Sequence, residues 1–336
     1  MRNSKTEKLV KASILTSAIV VLALAGFYLP FVGIITVVAA PIVTAMIYKT
    51  SGKGFTVISF FSTLFILGMM IDPISALSQT IVFYSTGIGL MFMLSHDFSP
   101  LVEILIIAFF IAIGYVAMVG IDLAFITNMS LTEMVDMNIK VLQESMREAV
   151  KMYEGMGADY ANEQSVKDIM ALTVDKVMIM IPASLAMYSL VSAYILRKVS
   201  ERVFKPFGIT LSKLPSFDSI KPNMMLISAT LFLSIIGISL MYFEIPAGSS
   251  VMYFGKTMFD ITAGIGGLSL ITYYMVRKLK FNKFTRFMAI FLILTTPILT
   301  YIMMIAGVVD SAFDFRNTRE DGLFSILRRK LKGTEK

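Results

Sequence analysis

The chain has 336 residues, of which 56% are hydrophobic and only 16% charged, and its mean hydropathy is +0.77. A soluble fold cannot hide that much apolar surface, and several runs of 17 to 25 residues carry almost no charge, the length that crosses about 30 Å of hydrocarbon. The net charge of +7 lies mostly in short loops, so it reads as membrane topology rather than nucleic-acid binding.

Other classes drop out in turn. Alternating segments of about 10 residues, the mark of a membrane barrel, are absent. There is no cysteine, which removes disulfides, thiolate metal sites and cysteine nucleophiles, and the one histidine, His96, cannot build a multi-histidine site. No phosphate-binding loop, zinc-protease helix or serine elbow is present, so neither enzymatic activity nor a cofactor is expected. What remains is an all-α, polytopic transmembrane helical bundle with the lipid bilayer as its first partner.

In chain order, the basic opening "MRNSKTEKLVK" before an apolar run has the form of a signal peptide. However, "AGFYLPFVG" leads straight into another apolar segment, which predicts an uncleaved first span. The apolar runs predict spans at about 12–29, 32–48, 55–71, 74–94, 101–126, 174–196, 223–243, 257–276 and 286–309. Lys and Arg collect in cytoplasmic loops, which places the N-terminus, "YKTSGKG" (Lys49, Lys53), the long loop with Arg197, Lys198, Arg202, Lys205, Lys213 and Lys221, and "RKLKFNKFTR" inside. "MMIDP", 128–171 and "FEIPAGSS" then lie outside; 128–171 has eight acids against four bases.

The last segment resists this scheme. Nine spans would leave "LRRKLKGTEK" outside, against its charge, while Pro297 splits the segment into two halves each too short to cross. Nine spans is the reading adopted, and eight plus a re-entrant hairpin is the alternative. In 128–171, "SLTE" offers a capping box from Ser130 to Glu133. Leu131, Met134, Val135, Leu142, Met146, Ala149, Tyr153 and Met156 then form one apolar helix face. Gly155 and Gly157 end that helix, and a second from about Glu163 is expected to run into span six. The pair reads as an amphipathic hairpin packed on the outer face, or as a lid.

Charges at membrane depth are costly and therefore informative. Asp72, Asp122, Asp175, Lys176, Glu244, Lys256 and Asp260 are all expected near extracytoplasmic helix ends, with Asp97 and Glu103 near the other face. Asp122, Asp175, Asp260 and Lys256, with the neutral Tyr84 and Gln79, are the candidate lining of an outward-facing pocket. Gly87, Gly89 and the "GIGG" run (Gly264, Gly266, Gly267) read as helix packing.

Three stretches carry a resemblance: "IPASLAMYSLVSAYILRKVSERVFKPFG" with Pro182 and Ser184, "LPSFDSIKPNMML" with Pro215, Phe217 and Pro222, and "GVVDSAFDFRN" with Asp310, Asp314 and Arg316. Their order resembles the YybS-like family of bacterial multi-pass membrane proteins, a group without an established activity. The N-terminal half, through "AAPIVTAMIYKTSGKGFTVISFFSTLF", is similar to the S components of energy-coupling-factor vitamin transporters. That likeness implies a bacterial plasma-membrane protein with its N-terminus in the cytoplasm, and a small-molecule binding or transport module. Membrane or ATPase partner subunits are conceivable, nucleic acid is not. A non-transporting scaffold or sensor, recruiting partners through the outer helices and basic loops, is the alternative.

The expected organisation is an S-component-like set of helices at 1–127, an outer insertion at 128–171, span six at 172–200, a basic loop at 201–222, C-terminal spans at 223–315 and a basic tail at 316–336. Asp310 and Asp314 share a face if the helix continues, but Arg316 can reach Asp310 only if it breaks. A clamp between carboxylate and guanidinium is preferred to an active site.

Overall fold

A computed structural model describes residues 2–29, 31–156 and 162–316 of the chain. Expectations about Gly157 and the tail 317–336 fall outside these residues. Among the described residues there are α-helices, short 3₁₀ and π turns, and no strand. The helices are α1 (Arg2–Tyr28), α2 (Val32–Ser51), α3 (Lys53–Met70), α4 (Pro73–Ser95), α5 (Pro100–Ile121), α6 (Leu131–Gly155), α7 (Gln164–Met170), α8 (Val174–Phe204), α9 (Met224–Tyr242), α10 (Gly248–Tyr273), α11 (Lys283–Thr295) and α12 (Pro297–Phe313).

Local chemistry sets several helix starts. Asp72 caps α4 by accepting from the backbone of Ile74 and Ser75 at 3.0 and 2.8 Å, with Pro73 supplying a first residue that needs no N–H partner. The capping box at Ser130 and Glu133 is present in both directions. The expected run of α7 into span six is absent: α7 ends at Met170, and Thr173 caps α8 separately. Gln143 of α6 reaches the carbonyls of Met170 and Leu172 at 3.2 and 3.3 Å, which holds the break in place. On α6 only Val135 and Ile139 are buried, so the expected stripe is in part exposed.

The chain forms two compact units, the first from residues up to 178 together with 184–214, the second from 179–183 together with residues from 215 onward. In the first unit, α1 to α4 pack around Ile19, Ala40, Ile47, Leu67 and Phe83, while Leu90, Ile107 and Ile111 meet Ala193, Leu196 and Phe204 of α8. Hydroxyls thread the first cluster: Thr16 contacts Ser59 at 2.7 Å, and the Tyr84 hydroxyl lies 2.5 Å from Ser59 and 3.1 Å from Thr63. In lipid, where apolar burial drives little association, such buried bonds and close backbone approach hold helices together.

The second unit depends on close approach. A Cβ added at Gly267 would lie 1.9 Å from the Met303 carbonyl oxygen, and one at Gly307 would lie 2.4 Å from the Ala263 carbonyl oxygen. So α10 and α12 cross backbone to backbone, as expected of "GIGG", except that Gly264 has nothing within 4 Å.

Eight helices are long and apolar enough to cross a membrane among the described residues. The expected ninth span is instead two helices bent by 103° at Thr296, where Pro297 cannot continue the hydrogen-bond ladder. At 1.5 Å per residue α11 covers about 20 Å, too little to cross. Arg277, five residues before the Asn282 cap of α11, and Arg316, three residues beyond α12, both reach Asp218. The bent pair therefore fits either expected form, a broken ninth span or eight spans plus a re-entrant hairpin.

Replacing Gly267 by Ala should force the α10–α12 crossing apart and lower thermal stability in detergent by the equivalent of about 1–3 kcal/mol. Gly120→Ala, at an exposed position of α5 with nothing within 4 Å, should leave the melting curve unchanged within about 0.5 kcal/mol.

Candidate functional site

The sequence "GVVDSAFDFR" folds as a broken helix end. Asp314 adopts the left-handed conformation (φ 56°, ψ 59°) and its N–H caps the Asp310 carbonyl at 2.9 Å. That turn ends α12 and swings Arg316 back. Arg316 Nε donates to Asp310 Oδ2 at 2.8 Å, both side chains being buried. Its Nη1 points at the Asp218 carbonyl (2.9 Å), the Ile220 carbonyl (3.3 Å) and Ser269 Oγ (2.9 Å), and Nη2 at the Gly266 carbonyl (3.3 Å).

Two further pairs complete this end of the unit. Lys221 binds Asp314, and Arg277 binds Asp218 at 2.8 Å. Ser269 Oγ lies 2.7 Å from the Phe217 carbonyl, and a Cβ at Gly266 would sit 3.3 Å from the Pro222 ring. The motif residues Phe217, Pro222, Asp310, Asp314 and Arg316 thus meet in one anchored corner, while Pro182 and Ser184 lie exposed within α8. The Asp218 carboxyl is held below the ordinary carboxylate range by a hydrogen bond from Ser216 and by Arg277.

A second corner of this kind lies in the first unit. There α8 runs two turns beyond the expected end of span six, so Arg197 is a fully buried helical residue and not a loop charge. Its Nε donates to Glu103 Oε2 at 2.6 Å, and Nη2 donates to the Ser212 carbonyl at 2.6 Å. Nothing local marks that pair, because 94 residues separate its members.

Glu103 and Ser212 also line a recess of about 390 Å³, with Lys49, His96, Asp97 and Thr210 among its other walls. His96 is stacked between Phe92 and Phe98, with ring centroids at 5.2 and 5.1 Å. Its Nδ1 lies 3.1 Å from the Phe92 carbonyl, which accepts from Nδ1 when that nitrogen carries a proton.

The six expected pocket residues are placed differently, and none lines this recess. Asp122, in the π turn after α5, accepts from Ser78 at 2.6 Å. Asp175 is exposed in the first turn of α8. Gln79 donates to the Ala23 carbonyl at 3.3 Å, and Tyr84 belongs to the buried hydroxyl chain.

Lys256 and Asp260 form an i,i+4 pair at 2.6 Å. They do not lie at a helix end: Gly255 packs on Ser234, the eleventh of nineteen residues in α9, which sets the pair level with the middle of that span. Reading them as interfacial failed because α10 begins nine residues before the expected start of span eight.

Capped helices of spanning length, joined by short turns and by buried ion pairs, define an integral multi-pass membrane protein. The chain belongs to the family described as Predicted membrane protein (DUF2232), which it matches over residues 17–311. That range takes in Asp310 and stops short of Asp314 and Arg316. No curated protein and no solved structure matches the chain.

Replacing Arg316 by Gln should leave Asp310 buried without its cation and lower stability by about 3–5 kcal/mol, read as a fall in melting temperature. Arg316→Lys should recover only part, since one ammonium cannot serve a carboxylate and three carbonyls together. Asp218, with its folded pKa depressed, contributes stability that is complete above its unfolded value of about 4 and lost as pH falls through the folded value. Proteolysis within 214–222 should therefore rise below about pH 4, and Arg277→Gln should move that onset upward.

Proposed function

We propose that the protein is a membrane-embedded binding module whose ligand occupies the recess beneath residues 208–212, at the end of the first unit that holds the Arg197–Glu103 pair. The observation that carries this reading is the lining: Lys49, His96, Asp97, Glu103, Thr210 and Ser212 converge on a space of about 390 Å³. Small-molecule sites are typically of about 300–1,000 Å³ with a few convergent polar groups. Lys49 suits an anionic group and Asp97 a cationic one, so the fitting ligand is a small, polar, zwitterionic molecule.

Arg197 makes the floor rigid by fixing Glu103 and the Ser212 carbonyl. The Lys- and Arg-rich segments favour the cytoplasmic side for this end and for the N-terminus, and the bacterial plasma membrane is what the family resemblance implies. Transport and coupling to an ATPase subunit rest on the resemblance of the N-terminal half to S components, the outward-facing pocket at Asp122 on the expected depth of its charges, and the YybS-like assignment on the three motif stretches.

Native mass spectrometry of the protein purified in mild detergent should show a retained small molecule. Lys49→Ala combined with Asp97→Ala, both at exposed positions, should weaken its retention about 10- to 100-fold, one charge-assisted hydrogen bond being worth about 1.5–3 kcal/mol. Equal occupancy in the double variant and the wild type would remove the recess as the site.

A further inference from the structure

The Lys256–Asp260 pair has a setting that neither the corners nor the recess explains. Its side chains are 62% and 38% exposed, although the pair lies level with the centre of the α9 span. An ionic pair in contact with lipid chains at that depth is unfavourable, and such groups face protein or water instead. The stripe it belongs to runs Tyr253, Lys256, Asp260, Gly264, at helical spacings of three, four and four. At its end Gly264 has nothing within 4 Å, which is room for another backbone.

We infer that this stripe of α10 is the contact surface for a second copy of the chain. The pair is self-complementary: a two-fold axis beside α10 sets Lys256 of each copy toward Asp260 of the other, and the same four charges then satisfy one another away from lipid. Gly264 lets the two α10 helices approach closely enough for those side chains to meet. A different subunit would need its own matching cation and anion, whereas a second copy carries them by construction.

The test is the oligomeric state in lipid nanodiscs, by native mass spectrometry. Wild type should be dimeric. Lys256→Asp and Asp260→Lys should each weaken dimerisation at least tenfold, because each puts four like charges at the axis. Mixing the two variants should give heterodimers, since one copy then offers two acids and the other two bases. If a charge variant fails to fold, Gly264→Leu decides, because that position has open space around it within its own chain. Its conversion to monomer with an unchanged monomer fold supports the inference. A monomeric wild type, a charge variant that dimerises like wild type, or a dimeric Gly264→Leu overturns it.

Discussion

Two buried guanidinium groups hold the irregular segment between α8 and α9. Polar backbone outside a helix, placed near a membrane, must find partners within the protein. Arg197 supplies a donor to the Ser212 carbonyl, and Arg316 supplies donors to the Asp218, Ile220 and Gly266 carbonyls. Each arginine is itself neutralised by one carboxylate, Glu103 or Asp310. Only a planar fork with five N–H groups answers both demands at once, its own charge and the surrounding carbonyls. A lysine performs the simpler task at Asp314, where one carboxylate is to be met.

The same corner decides how the chain ends. Arg316 returns from the end of α12 to Asp218, and Pro297 places the bend between α11 and α12. The glycines follow from this: α12 enters beside α10 only where Gly267 and Gly307 remove both side chains from the crossing. Bend, close crossing and ion pair are thus one construction. Its break at Asp314 does what a continuous helix cannot, bringing residues 310 and 316 onto one contact.

Much of this was legible in the sequence, and the failures have a common cause. Hydropathy located the spans, and capping chemistry found Ser130–Glu133, because both signals are local. The need for a break between Asp310 and Arg316 was also local, readable from a spacing that no helix satisfies. Arg197 was misread as a loop charge, since a helix continuing for two turns past its apolar run looks like a loop to hydropathy. Its partner Glu103 was assigned to the correct end but to no role, because pairing over 94 residues leaves no periodicity. The gathering of Lys49, His96, Asp97 and Ser212 around one recess likewise comes from three separate parts of the chain, α2, the α4–α5 turn and the segment after α8.

Depth, more than residue type, gives a charge its meaning here. Lys140–Asp136 on α6 and Lys256–Asp260 on α10 are both Lys–Asp i,i+4 pairs, of opposite order along the helix, at 2.5 and 2.6 Å, and both are exposed. In water such a pair is nearly neutral in free energy, and α6, of balanced polarity with only two buried residues, sits where its charges are solvated. At the centre of a span the same two side chains lose hydration that their mutual attraction only partly restores. Sequence spacing cannot separate the two cases. What separates them is that Gly255 rests on the middle of α9, which measures how far along the span the charges lie.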